Sequence, residues 1–321
     1  MTKPTTKKSA PTLKELSLNV VVDNFTNIIT NKSIPQELYH EIVSKLSVDI
    51  SPLISARFVT DEGYWKRACY DKYPKHECHT ADHGGSWRRL FFERFLTLQL
   101  ESFQFDENDN TDNDITEILN MIDTIKDYVY KLTFKQLPSH LDLSDVITRL
   151  SYLETIDITY GYTNIGMNYD RLLFGIKMSD AKCLATAISQ SNTIRQLSIT
   201  ESLIDDDILR VLMTGLYTNK SINHIDLSHN KISDQGARLL AKLLVENKDI
   251  LLTLNISDNN IQTDGGKYLA RALYDGGELQ ELNLRLNQLS DVGCQYIFES
   301  LWTHTHMKIL NISSNGASAQ V

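Results

Sequence analysis

Cysteine is scarce in this chain, with four in 321 residues (Cys69, Cys78, Cys183 and Cys294). Four are too few for a disulfide framework and point to a reducing compartment. Six prolines and 14 glycines exclude a collagen-like or low-complexity chain. No apolar run approaches the ~20 residues needed to cross a bilayer. The opening MTKPTTKKSAPTLKEL is basic, but charge returns before an apolar core can form, so no secretory leader is expected. Positive charge is also short: 32 Lys and Arg face 41 Asp and Glu, a net charge of −9. That balance argues against nucleic acid, whose affinity rests largely on neutralising phosphates. Neither nucleic acid nor membrane is therefore an expected partner. Catalytic signatures are missing too: there is no G-x-S-x-G, P-loop, G-x-G-x-x-G or H-E-x-x-H. What remains is a folded, intracellular, non-secreted chain. Its length suits one repeat array, or two modules, better than one small core.

What is present is self-similarity. INHIDLSHNKI begins at Ile222, LLTLNISDNNI at Leu251, LQELNLRLNQL at Leu279 and MKILNISSNGA at Met307. One repeat earlier, IRQLSITESLI begins at Ile194 with Ser202 in the Asn position. A shared LxxLxLxxNxL core at steps of 28 or 29 residues marks a leucine-rich repeat at the long end of its range. The L-x-L core reads as a short strand, apolar side chains inward and the intervening residues outward. Asn230, Asn259, Asn287 and Asn315 are expected to turn the chain inward, their amides stacked in a ladder that satisfies backbone groups leaving the strands. Between strands, Ala237, Leu240 and Leu244, then Gly266, Leu269 and Leu273, keep helical spacing. Gly265-Gly266 and Gly276-Gly277 fall at expected repeat turns. Weaker cores start at Val129 and Leu153, giving seven strands, with an elaborated loop after the second.

Residues 11–105 differ. LKELSLNVVVDNFTNII, PQELYHEIVSKL and SWRRLFFERFLTLQLESF carry helical apolar spacing, with Pro35 suited to a first turn and Ser86 to an N-cap. The expected organisation is a flexible basic tail (1–10), an N-terminal helical module (11–105), an acidic linker and helix (106–127) and a repeat domain (128–321). The fold class is α/β: a ribonuclease-inhibitor-like leucine-rich repeat solenoid preceded by a small helical module. The aromatic-rich helices hold more apolar surface than so short a module buries easily, so the module is expected to cap the array near Val129–Phe134.

Two clusters invite metal chemistry, and the residues favour plainer readings. Asp106, Asn108, Asn110, Asp112, Asp114 and Glu117 match the ligand spacing of a calcium loop, but Thr111 replaces the required glycine. A solvated linker with a capping box from Asp114 to Glu117 is preferred. Cys69, His76, Cys78, His79 and His83 include enough zinc donors but no paired two-plus-two spacing. Cys69 is expected to be a buried small hydrophobe. No cofactor is expected.

Function then falls to surfaces. One expected concave file is Ser198, Asp226, Asn255, Asn283 and Asn311. The next is Thr200, Ser228, Ser257, Arg285 and Ser313. Asp226, Asn255, Asn283, Arg285 and Asn311 are the candidate contact residues. The strand 307–315 is a candidate docking end through Met307, Ile309, Leu310 and Ile312, because no charge follows Lys308 to blunt its outer edge. Leu310 and Ile312 are expected to lie under Tyr296, Ile297 and Leu301.

LKELSLNVVVDNFTN (13–27), DEGYWKRACYDKYP (61–74), HGGSWRRLFFERFLTLQLESF (83–103) and TNIGMNYDRLLF (163–174), followed by the repeats, make the chain resemble the T-complex-associated testis-expressed protein 1 family, subunit 5 of the nexin–dynein regulatory complex. The resemblance implies a non-catalytic scaffold of motile cilia that links doublet microtubules and helps regulate dynein-driven motility. Its implied partners are other subunits of that complex and axonemal proteins, with tubulin or dynein-arm components reached indirectly. It implies no catalytic residues and a place in the cytoplasm, at the cytoskeleton of the cilium or flagellum. The alternative is a substrate adaptor of a ubiquitin ligase, since SIPQELYHEIVSKL resembles the opening of an F-box, a module that commonly precedes such repeats.

Overall fold

The computed structural model describes residues 12–31, 35–74, 78–102, 111–137, 142–161 and 174–318. His76, the acidic residues 106–110 and the insertion at 162–173 lie outside them. The chain divides into two compact units, Met1–Phe92 and Glu93–Val321, and the division falls inside a helix.

The first unit holds α1 (Leu13–Asp23), α2 (Phe25–Asn31), α3 (Gln36–Lys45), α4 (Pro52–Phe58), α5 (Glu62–Lys72) and the start of α6 (Trp87–Ser102). Thr12 closes a capping box with Glu15 at the start of α1, and Pro35 precedes α3 as its N-cap. The core of this unit is aromatic. Trp65 is fully buried, with ring centroids of Phe91 and Phe92 at 5.1 and 4.8 Å. Its indole N–H donates to Val59 O at 3.0 Å, so the one polar atom of the ring is satisfied. Ser86 caps α6 through the Arg89 N–H at 3.3 Å, and Glu62 accepts from the Trp87 N–H at 2.6 Å. Arg67 donates to Val43 O at 2.7 Å and to Leu46 O at 3.3 Å, carbonyls at the end of α3, where the helical bonds run out. These contacts account for the residue types of the WKR and SWRRLFF segments.

The second unit continues through α7 (Thr111–Ile125), β1 (Lys131–Leu137), α8 (Leu143–Arg149), β2 (Thr155–Tyr160), α9 (Met178–Gln190), β3 (Gln196–Ile199) and α10 (Asp206–Leu216). It ends with β4 (His224–Asp226), α11 (Asp234–Glu246), β5 (Thr253–Asn255), α12 (Thr263–Tyr274), β6 (Glu281–Asn283), α13 (Ser290–Ser300) and β7 (Ile309–Asn311). The seven strands form one parallel sheet in chain order. Every strand-to-strand connection with a helix returns the chain one position along the sheet, which makes it a leucine-rich-repeat solenoid. The core lies between sheet and helices, where Leu227, Ile256, Leu284, Leu240 and Leu269 are fully buried.

Two expectations are corrected. α7 begins at Thr111, so Asp114 lies within the helix rather than at its cap, and 111–117 is helical where a calcium loop would have to turn. Gly265 and Gly266 lie in the first helical turn of α12 rather than in a loop; a Cβ at Gly265 would collide with Asp234 and Ile261, and one at Gly266 would press on Leu289 at 3.1 Å. Gly276 and Gly277 do turn the chain, with φ of 79° and 148°.

Candidate functional site

The array is held by polar side chains that recur once per repeat. The amide of Asn259 is buried at 5% exposure, and its Nδ2 donates to Leu227 O at 3.0 Å and to Ile256 O and Ser257 O, both at 3.2 Å. Its Oδ1 accepts from the Ile232 N–H at 3.0 Å, in the repeat before. Asn230, Asn287 and Asn315 repeat this pattern, accepting from Ile204, Ile261 and Leu289 respectively. Each amide thus joins two repeats and satisfies backbone groups where the strand ends.

Immediately before this file stand Glu201, His229, Asp258, Leu286 and Ser314, with φ between 50° and 58°. None is a glycine, so the turn holds five side chains in a region that favours glycine. His229 Nδ1 and Asp258 Oδ2, neighbours in this row, lie 2.7 Å apart.

Two further files lay unread in the sequence. Asn219 and Asn247, each buried, bind the loops that lead from helix to strand: Asn219 Nδ2 donates to Ile188 O and Ser191 O at 2.8 Å, and Asn247 Nδ2 to Leu216 O and Asn219 O at 3.3 Å. The Asn-Lys doublets at 219 and 247 carry the repeat spacing and could have revealed them. In the third file Asp206 Oδ1 accepts from the Ser233 and Gly236 N–H groups at 2.9 Å, and Asp234 Oδ1 from Gln262 and Gly265 at 2.7 and 2.8 Å. Each aspartate at the start of one helix caps the helix of the next repeat.

The sheet face is the remaining surface. Register aligns Ser198, Asp226, Asn255, Asn283 and Asn311 across β3 to β7. Asp226, Asn255, Asn283 and Asn311, with Gln196, His224, Thr253, Glu281 and Ile309, line a trough of about 470 Å³. Asp226 Oδ1 accepts from the Ser228 N–H at 2.9 Å and its hydroxyl at 2.6 Å, while Oδ2 accepts from Asn255 Nδ2 at 2.7 Å. Asn255 and Asn311 hold Ser257 and Ser313 in the same way, and Asn283 accepts from the Arg285 N–H at 3.1 Å. The second file therefore differs from expectation: Ser228 and Ser257 are buried, folded back onto the first file by these turns, while Arg285 stays exposed. Asp226 and Glu281 are carboxylates, and Lys and Arg are absent from the residues lining the trough.

At the far edge, β7 pairs with β6 among the described residues. Ile309 is 55% exposed, and Met307, Leu310 and Ile312 are half-buried. The cover expected over Leu310 and Ile312 is thus partial, because Ile297 is fully buried in its own repeat and Tyr296 points 40% into solvent. Of the zinc-like cluster, Cys69 is fully buried in α5 with its Sγ 3.6 Å from Trp87 O, while His83 sits in a short 3₁₀ turn.

The Leucine Rich repeat family profile matches residues 218–241, 251–270 and 279–298. Dynein regulatory complex subunit 5 of Macaca fascicularis is 32% identical over 262 residues, covering 73% of this chain and 51% of that protein. The mouse protein of the same name is 33% identical over 260 residues, covering 72% and 51%. That of Chlamydomonas reinhardtii is 36% identical over 200 residues, covering 62% and 50%. The chain spans about half the length of these curated relatives. Among solved structures, leiomodin-1 actin-binding site 2 superposes with a TM-score of 0.36 at 12% identity, covering 50% of this chain and 86% of that one. An internalin C2 of Listeria monocytogenes gives 0.32 at 17% identity, covering 60% and 84%. Likeness at that level carries no argument about function.

Proposed function

Because the chain belongs to the family of dynein regulatory complex subunit 5, we propose that it is a non-catalytic scaffold of the nexin–dynein regulatory complex in motile cilia, helping to link doublet microtubules and regulate dynein-driven motility. The observation that carries this is the extent of the likeness. It covers 73% of the chain, more than residues 128–321 can supply, so it extends beyond the repeat domain. Repeats alone would leave the ubiquitin-ligase adaptor equally supported. The polar side chains described above support a scaffold role in their own way. They hold backbone and neighbouring repeats, which suits a stiff surface rather than a reaction centre.

Other subunits of the complex and axonemal proteins are the partners of this reading, with tubulin and dynein arms touched indirectly, and the axoneme is its location. Two surfaces are assigned to contact. One is the sheet face, with Asp226, Asn255, Asn283 and Asn311 in the trough and Arg285 exposed beside it. The other is the strand edge at Met307, Ile309, Leu310 and Ile312, which no further strand covers among the described residues and whose exposed Ile309 suits an added strand. The test is a tagged chain expressed in motile ciliated cells. Axonemal labelling with recovery of other complex subunits is the expected outcome; recovery of a cullin-linking adaptor without axonemal proteins would reverse the assignment. The variant Glu281→Lys should lower that recovery several-fold while leaving the melting transition in place, since it reverses an exposed charge on the contact face.

A further inference from the structure

Each strand after the first joins the sheet in one way: two successive N–H groups converge on a single carbonyl oxygen of the repeat before. Glu154 and Thr155 share Tyr130 O at 2.8 and 3.1 Å, and Arg195 and Gln196 share Glu154 O at 2.8 and 3.0 Å. The pattern persists to Lys308 and Ile309, which share Gln280 O at 2.7 and 3.0 Å. β1 stands first in the sheet order. Its equivalent pair, Tyr130 and Lys131, converges on Glu93 Oε1 at 2.8 and 3.1 Å. A side-chain oxygen from α6 stands where every other strand meets a backbone carbonyl. Further along, Lys135 and Gln136 converge likewise on Glu101 Oε1, at 2.7 and 3.2 Å. Glu93 is 3% exposed, a burial that a carboxylate tolerates only when its oxygens are engaged. Both glutamates lie on the part of α6 that belongs to the repeat unit.

We propose that Glu93 and Glu101 are an edge lock: by imitating the carbonyls of a preceding strand, they keep β1 from pairing with the edge strand of a second copy of this chain. The occupant follows from the sequence and the geometry. β1, KLTFKQL, alternates buried and outward residues, contains no proline and presents paired N–H groups along its edge. Such an edge is a template for strand addition, and another copy is always present at the protein's own concentration. The role needs an acceptor oxygen rather than a charge. Burial pushes the Glu101 carboxyl above its ordinary range against the pull of the Gln136 and Lys135 N–H groups, so an uncharged acceptor suits that position.

The experiment compares the full chain with two paired variants, Glu93→Ala/Glu101→Ala and Glu93→Gln/Glu101→Gln, by amide hydrogen exchange and sedimentation velocity. The alanine pair should speed exchange at Tyr130, Lys131, Lys135 and Gln136 by about three- to tenfold, the effect of losing an ordinary intramolecular hydrogen bond. It should also associate as concentration rises. The glutamine pair should keep both the protection and the sedimentation of the parent. Parental exchange in the alanine pair, or fast exchange without association, would overturn the lock. Should the alanine pair fail to fold, the glutamine pair decides: protected amides and parental sedimentation support the acceptor role, and exposed amides or association sink it.

Discussion

At Asn259 a single amide serves four backbone groups: the carbonyls of Leu227, Ile256 and Ser257, and the N–H of Ile232. Replacing it by alanine takes the acceptor from the Ile232 N–H and one donor from each carbonyl, while Asn230, Asn287 and the His229 N–H still reach Leu227 O, Ile256 O and Ser257 O; Asn259→Ala should destabilise the array by about 1–3 kcal/mol in denaturant unfolding. A loss below about 0.5 kcal/mol would mean that the ladder does not carry load at that repeat. This part was legible, because asparagine at a fixed repeat position has few other reasons to recur. The residue that precedes each such asparagine was not. Leu286 is held at φ 56° with 43% of its surface exposed, and nothing about a leucine announces a left-handed backbone. An L-residue there is strained by roughly 1–2 kcal/mol, whereas asparagine visits the region readily. Leu286→Asn should therefore raise stability by about 0.5–1 kcal/mol, since little packing is lost with an exposed side chain. An unchanged or lowered unfolding midpoint would show that the exposed leucine packs better than its exposure suggests.

At the scale of elements, α10, α11 and α12 are tied together by aspartates at the starts of α10 and α11 that each reach the next helix. Asp234 accepts from the Gly265 N–H at 2.8 Å, and a Cβ on Gly265 would stand 2.6 Å from both Asp234 Oδ1 and Ile261 Cγ2. Gly265→Ala should break the α11–α12 contact and cost about 1–3 kcal/mol, the usual range for overpacking. A near-neutral result would mean that the aspartate can swing aside while the next helix finds another cap. The periodicity of Leu240, Leu244, Leu269 and Leu273 made these helices readable, and the L-x-L cores made the strands so. The glycines misled because Gly-Gly pairs usually signal turns, and only the approach of a side chain from the preceding repeat turns them into a packing requirement. α8 escaped reading for a different reason. Seven residues give barely two turns, too few for a periodic signal to separate from its flanking strands.

At the scale of the molecule, the sequence places a helical module before an array and leaves open what finishes the sheet. Nothing in SWRRLFFERFLTLQLESF says that Glu93 and Glu101 meet β1, because the contact bridges more than thirty residues and depends on where the helix lies. The structure divides the chain at Phe92, with the second half of α6 in the repeat unit. Closing the array can then fall to ten residues of helix, from Glu93 to Ser102, or need the whole N-terminal module, as the sequence led us to expect. Two fragments separate these views. Residues 93–321 keep both glutamates and the apolar side chains Leu96 and Leu100, which are fully buried. Residues 111–321 lose all four and leave the N–H groups of Tyr130, Lys131, Lys135 and Gln136 without acceptors. The longer fragment should unfold in one cooperative transition and sediment without aggregates, while the shorter should aggregate. The cause is that an open solenoid end exposes both core and strand edge. If both fragments fold equally well, the glutamates are dispensable and β1 needs no cover. If both aggregate, the array requires residues before Glu93, and the wider capping role expected of the N-terminal module is restored.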